Sequence, residues 1–361
     1  DLPLSKCLLL LKCAHTLRVK EPYPEDPIAI LDRLDFDYEP DTTDPNQIVS
    51  LEFPNRTCAA QVKLVERFPN VETVELSVKW LNSDTNDLEP LTRCKKLRKL
   101  VIPADGGRSV SDEDVETLVK CQSLEQLHLN TWGLSAKGIA TLGKMTQLKS
   151  LLLERVDEKA ISGLTELAAC KGLEHFATAL ESDYDLEAIP NEEAIAFLSE
   201  LPKLNSLKLE GELSKTTYQV IGGLDGLESL VIVSKKFKDD DLKLLVKAPN
   251  VKSFTLEGSK YKSGRPDVSF TGKGLASLGQ WKSLESLSLT GLPLTDDSLK
   301  HLQAASNLQE VSLDGLPITY EGLIHLKDVP KLKTLHLDDL ENLNRVLIDD
   351  FKEAAPQISV K

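Results

Sequence analysis

Apolar side chains return along this chain in one spacing, Leu-x-x-Leu-x-Leu. It stands at Leu124, Leu127 and Leu129, at Leu148, Leu151 and Leu153, and at Leu204, Leu207 and Leu209. It recurs at Leu284, Leu287 and Leu289 and at Leu332, Leu335 and Leu337. Degenerate copies start at Ile48, Val71, Leu97, Leu173, Leu227, Val251 and Leu308. Most steps between starts are 23 to 27 residues. That length holds one short strand, two turns and one helix, and a fixed period of this size predicts a stacked solenoid. Two upstream copies, Ala14-x-x-Leu17-x-Val19 and Leu31-x-x-Leu34-x-Phe36, and a last one at Ala355-x-x-Ile358-x-Val360, bring the expected number of parallel strands to about fifteen.

Between the strands the polar pattern predicts helix starts. Ser111, Ser135, Thr271, Thr295 and Thr319 are placed as N-caps, and Asp112, Glu113, Asp114, Asp296 and Asp297 follow in first turns, where acids suit the positive helix end. Leu299 and Leu302, or Leu323 and Leu326, give each helix a buried stripe. Prolines at 22, 24, 27, 40, 45 and 54 argue against full helices in the shorter N-terminal repeats. The expected organisation is an N-terminal cap over 1–47, about twelve repeats over 48–342, and a C-terminal cap helix with the last strand over 343–361.

Two steps break the period, 31 residues from Leu173 to Leu204 and 33 from Val251 to Leu284. The first insert, about 179–191, carries Glu181, Asp183, Tyr184, Asp185 and Glu187; the second, about 259–269, carries Lys260, Tyr261, Lys262 and Arg265. Both leave at the same repeat position, so their roots are expected roughly 15 Å apart. Insertions of this kind often lie on the binding face of a repeat protein.

Composition narrows the partners. Hydrophobic residues make up 41% and aromatics only 5%, so aliphatic side chains must fill the core. A net charge of −14 is repelled by phosphate backbones and anionic lipid heads, which argues against nucleic acid and membrane surfaces. No apolar run approaches the ~18 residues of a spanning helix. The chain opens on Asp1 without an initiator Met, so a processed or trimmed product is expected; a secreted or extracytoplasmic location after signal-peptide removal is favoured, with the compartment itself open.

The unit LESLSLTGLPLTDDSLKHLQ over 284–303, repeated as LQEVSLDGLPITYEGLIHLK over 308–327, resembles a leucine-rich repeat of the bacterial type, near the ribonuclease-inhibitor-like and cysteine-containing subclasses. The resemblance implies an α/β solenoid, a right-handed horseshoe with a parallel sheet on its concave face and short helices outside. It also implies recognition of proteins or ligands. The chain departs from that pattern where an Asn is usual: Trp132, Val156, Leu292, Leu316 and Leu340 stand there, so an apolar ladder is expected in place of an Asn ladder.

Candidate chemistry is sparse. Cys94, Cys121 and Cys170 each precede a motif start by three residues, a position held elsewhere by Phe68, Met145 and Trp281, and so read as buried thiols. Cys7 and Cys13 could form a disulfide in the N-terminal cap. Asp35, Asp37, Glu39, Asp41 and Asp44 resemble a calcium loop loosely but lack its glycine. No nucleophile elbow, zinc motif or phosphate loop is present, so neither an enzyme nor a cofactor or metal site is expected. On the concave face, Ser206, Ser229, Ser253, Ser286, Glu310 and His336 form a polar row, beside an acidic line of Glu154, Glu210, Glu257, Asp314 and Asp338. The expected function is a monomeric, non-enzymatic scaffold for an unidentified protein partner, bound through that face and the two inserts. The alternatives are the recognition arm of a larger protein and a module for a polar glycan or cell surface.

Overall fold

The computed structural model describes residues 26–33, 36–44, 47–53, 62–76, 88–103, 110–180, 192–258 and 270–361. The chain divides into two compact units, Asp1–Leu173 and Glu174–Lys361. In each, the repeated motif builds the same layers, an open sheet face and a row of short helices enclosing an apolar core. This is an α/β leucine-rich-repeat solenoid.

The first unit holds β1 (Asp37–Pro40), β2 (Ile48–Phe53), β3 (Thr73–Leu76), β4 (Lys99–Ile102), β5 (Gln126–Leu129) and β6 (Ser150–Val156). From β2 to β6 the pairing is parallel, with Leu51, Val74, Leu100, Leu127 and Leu151 in one register line. The second unit holds β7 (His175–Leu180), β8 (Ser206–Gly211), β9 (Ser229–Val233), β10 (Ser253–Glu257), β11 (Ser286–Thr290), β12 (Glu310–Asp314), β13 (Thr334–Asp338) and β14 (Ser359–Val360), all parallel. Every motif leucine from Leu204 to Leu335 is at most 2% exposed apart from Leu332 at 4%, because alternate strand residues face the helix layer. At the entrances of β4 to β6 and β8 to β13 two successive N–H groups donate to one carbonyl of the preceding repeat, as Glu285 and Ser286 do to Lys252 at 2.8 and 3.0 Å. The register is thereby set before the strand begins.

The N-terminal expectation is corrected. Pro27–Arg33 is a helix, not part of a strand. Asp26 accepts from the Ile28 N–H at 3.1 Å, and Pro27 at the first helical position is already shaped for a helix. Leu31 and Phe36 are buried, but the strand that follows, β1, pairs antiparallel with β2. The copy at 14–19, Cys7, Cys13 and Asp35 lie outside the described residues. Asp41 closes a local turn, accepting from Thr43 N at 2.7 Å and Thr43 Oγ1 at 2.5 Å, and those bonds hold its carboxyl below the usual range.

Ser111, Ser135, Thr295 and Thr319 cap helices as expected. Thr271 does not; Gly272, at φ 81°, starts the short helix Lys273–Gln280. Instead, Thr271 binds Asp239 of the preceding repeat, through its N–H at 3.0 Å and Oγ1 at 2.8 Å. The same link ties Ser135 to Asp112 at 3.0 and 2.5 Å, and Thr319 to Asp296 at 2.7 and 2.8 Å. These first-turn aspartates therefore do more than face a helix dipole. Each accepts two hydrogen bonds from the next repeat's helix start. The glycine three residues after that start makes room for the carboxylate: a Cβ on Gly322 would stand 2.4 Å from Asp296 Oδ1, and one on Gly138 2.1 Å from Asp112 Oδ1.

The apolar ladder after the strands forms in part. Val156, Leu292 and Leu316 are buried, whereas Leu340 is half-exposed and Trp132 is 58% exposed. Trp132 precedes Gly133, whose φ of 102° lies in a region that favours glycine.

Candidate functional site

The open sheet faces are the candidate sites, built from the residues between the buried motif positions. In the second unit, Ser206, Ser229, Ser253 and Ser286 are neighbours on successive strands, followed in the same line by Glu310 and Thr334. All four serines are half-exposed. The parallel line two residues on reads Ala177, Lys208, Val231, Thr255, Ser288, Ser312 and His336. His336 Nε2 lies 2.8 Å from Glu310 Oε1, one strand across. The expected acidic line is interrupted: Val233 stands between Glu210 and Glu257, and Thr290 between Glu257 and Asp314. Only Asp314 and Asp338 are adjacent.

In the first unit the corresponding line changes character along the sheet. Asp37, Glu52 and Glu75 are paired neighbours, followed by Val101, His128 and Leu152. Like charges facing each other across strands are unfavourable. Partial desolvation on the sheet face first, then Glu75 and Asp37, raise the carboxyl of the exposed Glu52 above its ordinary range. His128 Nε2 lies 2.6 Å from Glu154 Oε1. Beside them the Arg155 guanidinium sits 5.0 Å from the Trp132 ring centre, within cation–π range.

Of the residues singled out from the sequence, the six on the open face of the second unit stand together there. Glu181, Asp183, Tyr184, Asp185, Lys260, Tyr261, Lys262 and Arg265 lie outside the described residues. The sequence reading missed the Trp132–Arg155 pair because it assigned Trp132 to a buried ladder.

Cys94, Cys121 and Cys170 are free and buried, and burial pushes each thiol up to about 11. Among the described residues no three His, Cys, Asp or Glu side chains converge as a metal site. No helix among them is long and apolar enough to cross a membrane. Gly272 and Gly274 are occupied structurally, the latter donating its N–H to Asp239 Oδ1 at 2.8 Å.

The geometry defines the class, a leucine-rich-repeat protein with solvent-facing strands. No family model matches the chain, and no curated protein matches it in sequence. Among solved structures it is similar to an internalin from Listeria monocytogenes strain 4b F2365, at 17% identity over 88% of this chain and 94% of that one, with a TM-score of 0.41.

Proposed function

We propose that this chain is a non-enzymatic recognition scaffold for a protein partner, contacted through the open sheet faces, with segments 179–191 and 259–269 extending the contact. The observation that carries this reading is the unbroken line of half-exposed side chains from Ser206 to Ser286 on hydrogen-bonded strands. A backbone already held in its ladder loses little freedom when a partner docks, so contacts there convert efficiently into affinity. In the first unit, Trp132 and Arg155 are of the residue types that dominate interface energetics.

The test compares capture from the source organism's lysate and medium by three proteins: the intact chain, a Ser229→Trp/Ser253→Trp variant, and a deletion of 259–269. A protein held by the intact chain and lost with both variants supports the reading. A partner held equally by all three places recognition elsewhere and overturns it.

A further inference from the structure

The turn that leads into β4 carries a charge that its fold does not require. Residues 93–99 read Arg-Cys-Lys-Lys-Leu-Arg-Lys, five cations in seven positions, on a chain of net charge −14. The same seven positions in the other repeats, from 67–73 to 328–334, hold at most two Lys or Arg. The backbone is built in the same way with or without them. Cys94 N donates to Leu91 O at 3.0 Å and Leu97 N to Cys94 O at 3.1 Å. In the next repeat Cys121 N donates to Leu118 O at 2.9 Å and Leu124 N to Cys121 O at 3.1 Å. Cys94 and Leu97 are buried, and Arg93, Lys95, Lys96, Arg98 and Lys99 around them are all exposed. The contact at the end of the short helix Glu89–Arg93 needs no charge either. Lys95 Nζ donates to Thr92 O at 3.2 Å, and Gln122 Nε2 makes the equivalent bond to Val119 O at 2.9 Å one repeat on.

Counter-charges reach the arginines and not the lysines. Arg93 meets Glu66 at 2.6 Å and Arg98 meets Glu125 at 3.9 Å. Among the described residues no ion pair engages Lys95, Lys96 or Lys99. Lys99 is paired in the sheet with Thr73 and Gln126, both uncharged. Asp41 owes its lowered carboxyl first to its hydrogen bonds with Thr43 and only last to Lys96.

Charge selects the occupant, and the flanks of the patch set its length. Glu72 and Glu125 hold the position of Arg98 in the repeats before and after, linked through Arg98 N to Glu72 O and Glu125 N to Arg98 O, both at 2.8 Å. The excess positive charge is thus confined to one turn. A long polyanion, whether nucleic acid, sulfated glycan or anionic membrane, would run past it onto a chain that repels it. A short run of carboxylates would not. We propose that this turn docks a short segment of another protein made of consecutive Asp or Glu residues. Lys95, Lys96 and Lys99 would meet its carboxylates, and Arg93 and Arg98 would be shared between it and their own glutamates. The site lies at a strand entrance of the first unit and does not depend on the function proposed above.

Full-length protein is titrated against a fluorescein-labelled peptide of consecutive Asp and Glu between Gly-Ser flanks, its Asn/Gln counterpart, labelled oligouridylate and labelled heparin, at about 0.15 M ionic strength. The site variant is Lys95→Gln/Lys96→Ser/Lys99→Gln, which installs the residues found at 122, 123 and 126, a turn the fold already uses. The control is Lys282→Gln/Lys331→Gln/Lys333→Gln, which removes the same charge from turns of the second unit. The acidic peptide should bind and the uncharged one should not. The site variant should lose at least about ten-fold in affinity while the control stays within about two-fold of wild type. No binding of the acidic peptide overturns the proposal, and equal losses in the two variants do so by reducing the effect to net charge. Oligouridylate or heparin bound more tightly than the peptide, and released by the site variant, would assign the turn to a polyanion instead. Self-association of the chain in sedimentation, abolished by the site variant, would assign it to a second copy and refute the proposal equally.

Discussion

The aspartate links between repeats can be tested on Asp296. Replacing it with alanine removes two charge-assisted acceptor contacts to Thr319, at 2.7 and 2.8 Å, and strips the Thr319 N–H of its partner. Hydrogen bonds to charged groups contribute about 1.5–3 kcal/mol each. Asp296 and Thr319 are half-exposed, so water recovers part of that loss. The expected net cost is about 2–3 kcal/mol, near the lower bound for the pair. Gly322→Ala approaches the same carboxylate from the other side, placing a Cβ 2.4 Å from its Oδ1. In the wild type that substitution should destabilise by displacing the carboxylate. In Asp296→Ala the carboxylate is gone and the remaining close atom is the residue 296 Cα at 3.2 Å, so alanine's better helix propensity, about 1 kcal/mol over glycine, offsets more of the cost. The two substitutions should therefore be coupled by at least about 1 kcal/mol. Urea unfolding followed by circular dichroism measures the cycle. Because cooperativity can break down in long repeat arrays, exchange of the Thr319 amide supplies a local readout. Additive costs, or a Thr319 amide as protected in Asp296→Ala as in the wild type, would refute the reasoning.

Glu52→Gln should raise the melting temperature at pH 7, because partial desolvation, Glu75 and Asp37 all disfavour the Glu52 charge. A raised acid pKa means the native state binds the proton more readily, so the penalty exists above that pKa and fades as pH falls through it; the difference between variant and wild type should vanish by about pH 3. Cys94, Cys121 and Cys170, with thiols pushed up to about 11, should resist iodoacetamide at pH 8 in the native protein and react in urea, as read by peptide mapping. Labelling of any of the three in the native state contradicts their burial. Trp281→Ala should cost about 3–5 kcal/mol, since Trp281 is 1% exposed, packs 5.1 Å from Phe254 and donates to Ala248 O at 2.7 Å. Trp132→Ala, at 58% exposure, should stay within about 0.5 kcal/mol of wild type.

The strands were legible because the leucine spacing is a direct image of the alternation they impose, and it is repeated often enough to exclude accident. It misled where the apolar spacing was weakest. Leu31, Leu34 and Phe36 fit the motif, but Asp26-Pro27 is a helix start and the local signal prevailed. The caps at Ser111, Ser135, Thr295 and Thr319 could be read from residue type, whereas the helix start at Gly272 could not: Thr271 binds Asp239 as Ser135 and Thr319 bind Asp112 and Asp296, and its residue type does not set it apart. That link spans 32 residues, and no local pattern encodes it. The open-face line of serines followed from strand alternation alone. The exposure of Trp132 did not follow from its place in the motif, which Leu292 and Leu316 fill as buried residues.

The carboxylates that join repeats stand at the helix starts, away from the serine line of the open face. Among the described residues, no side-chain hydrogen bond engages the hydroxyls of Ser206, Ser229, Ser253 and Ser286. Their contribution to folding should then be limited to what a small side chain adds to a strand. Replacing Ser229, Ser253 and Ser286 together by alanine deletes three solvated hydroxyls, makes no cavity and leaves no buried group unpaired. Surface substitutions of that kind fall within about 0.5 kcal/mol each, so the triple variant should lie within about 1.5 kcal/mol of wild type. Asp296→Ala alone should exceed that. The comparison decides whether folding and recognition are carried by opposite sides of the same repeat. A triple variant less stable than Asp296→Ala would mean that the serine line supports the sheet, and the open face would lose its standing as a surface free to serve a partner.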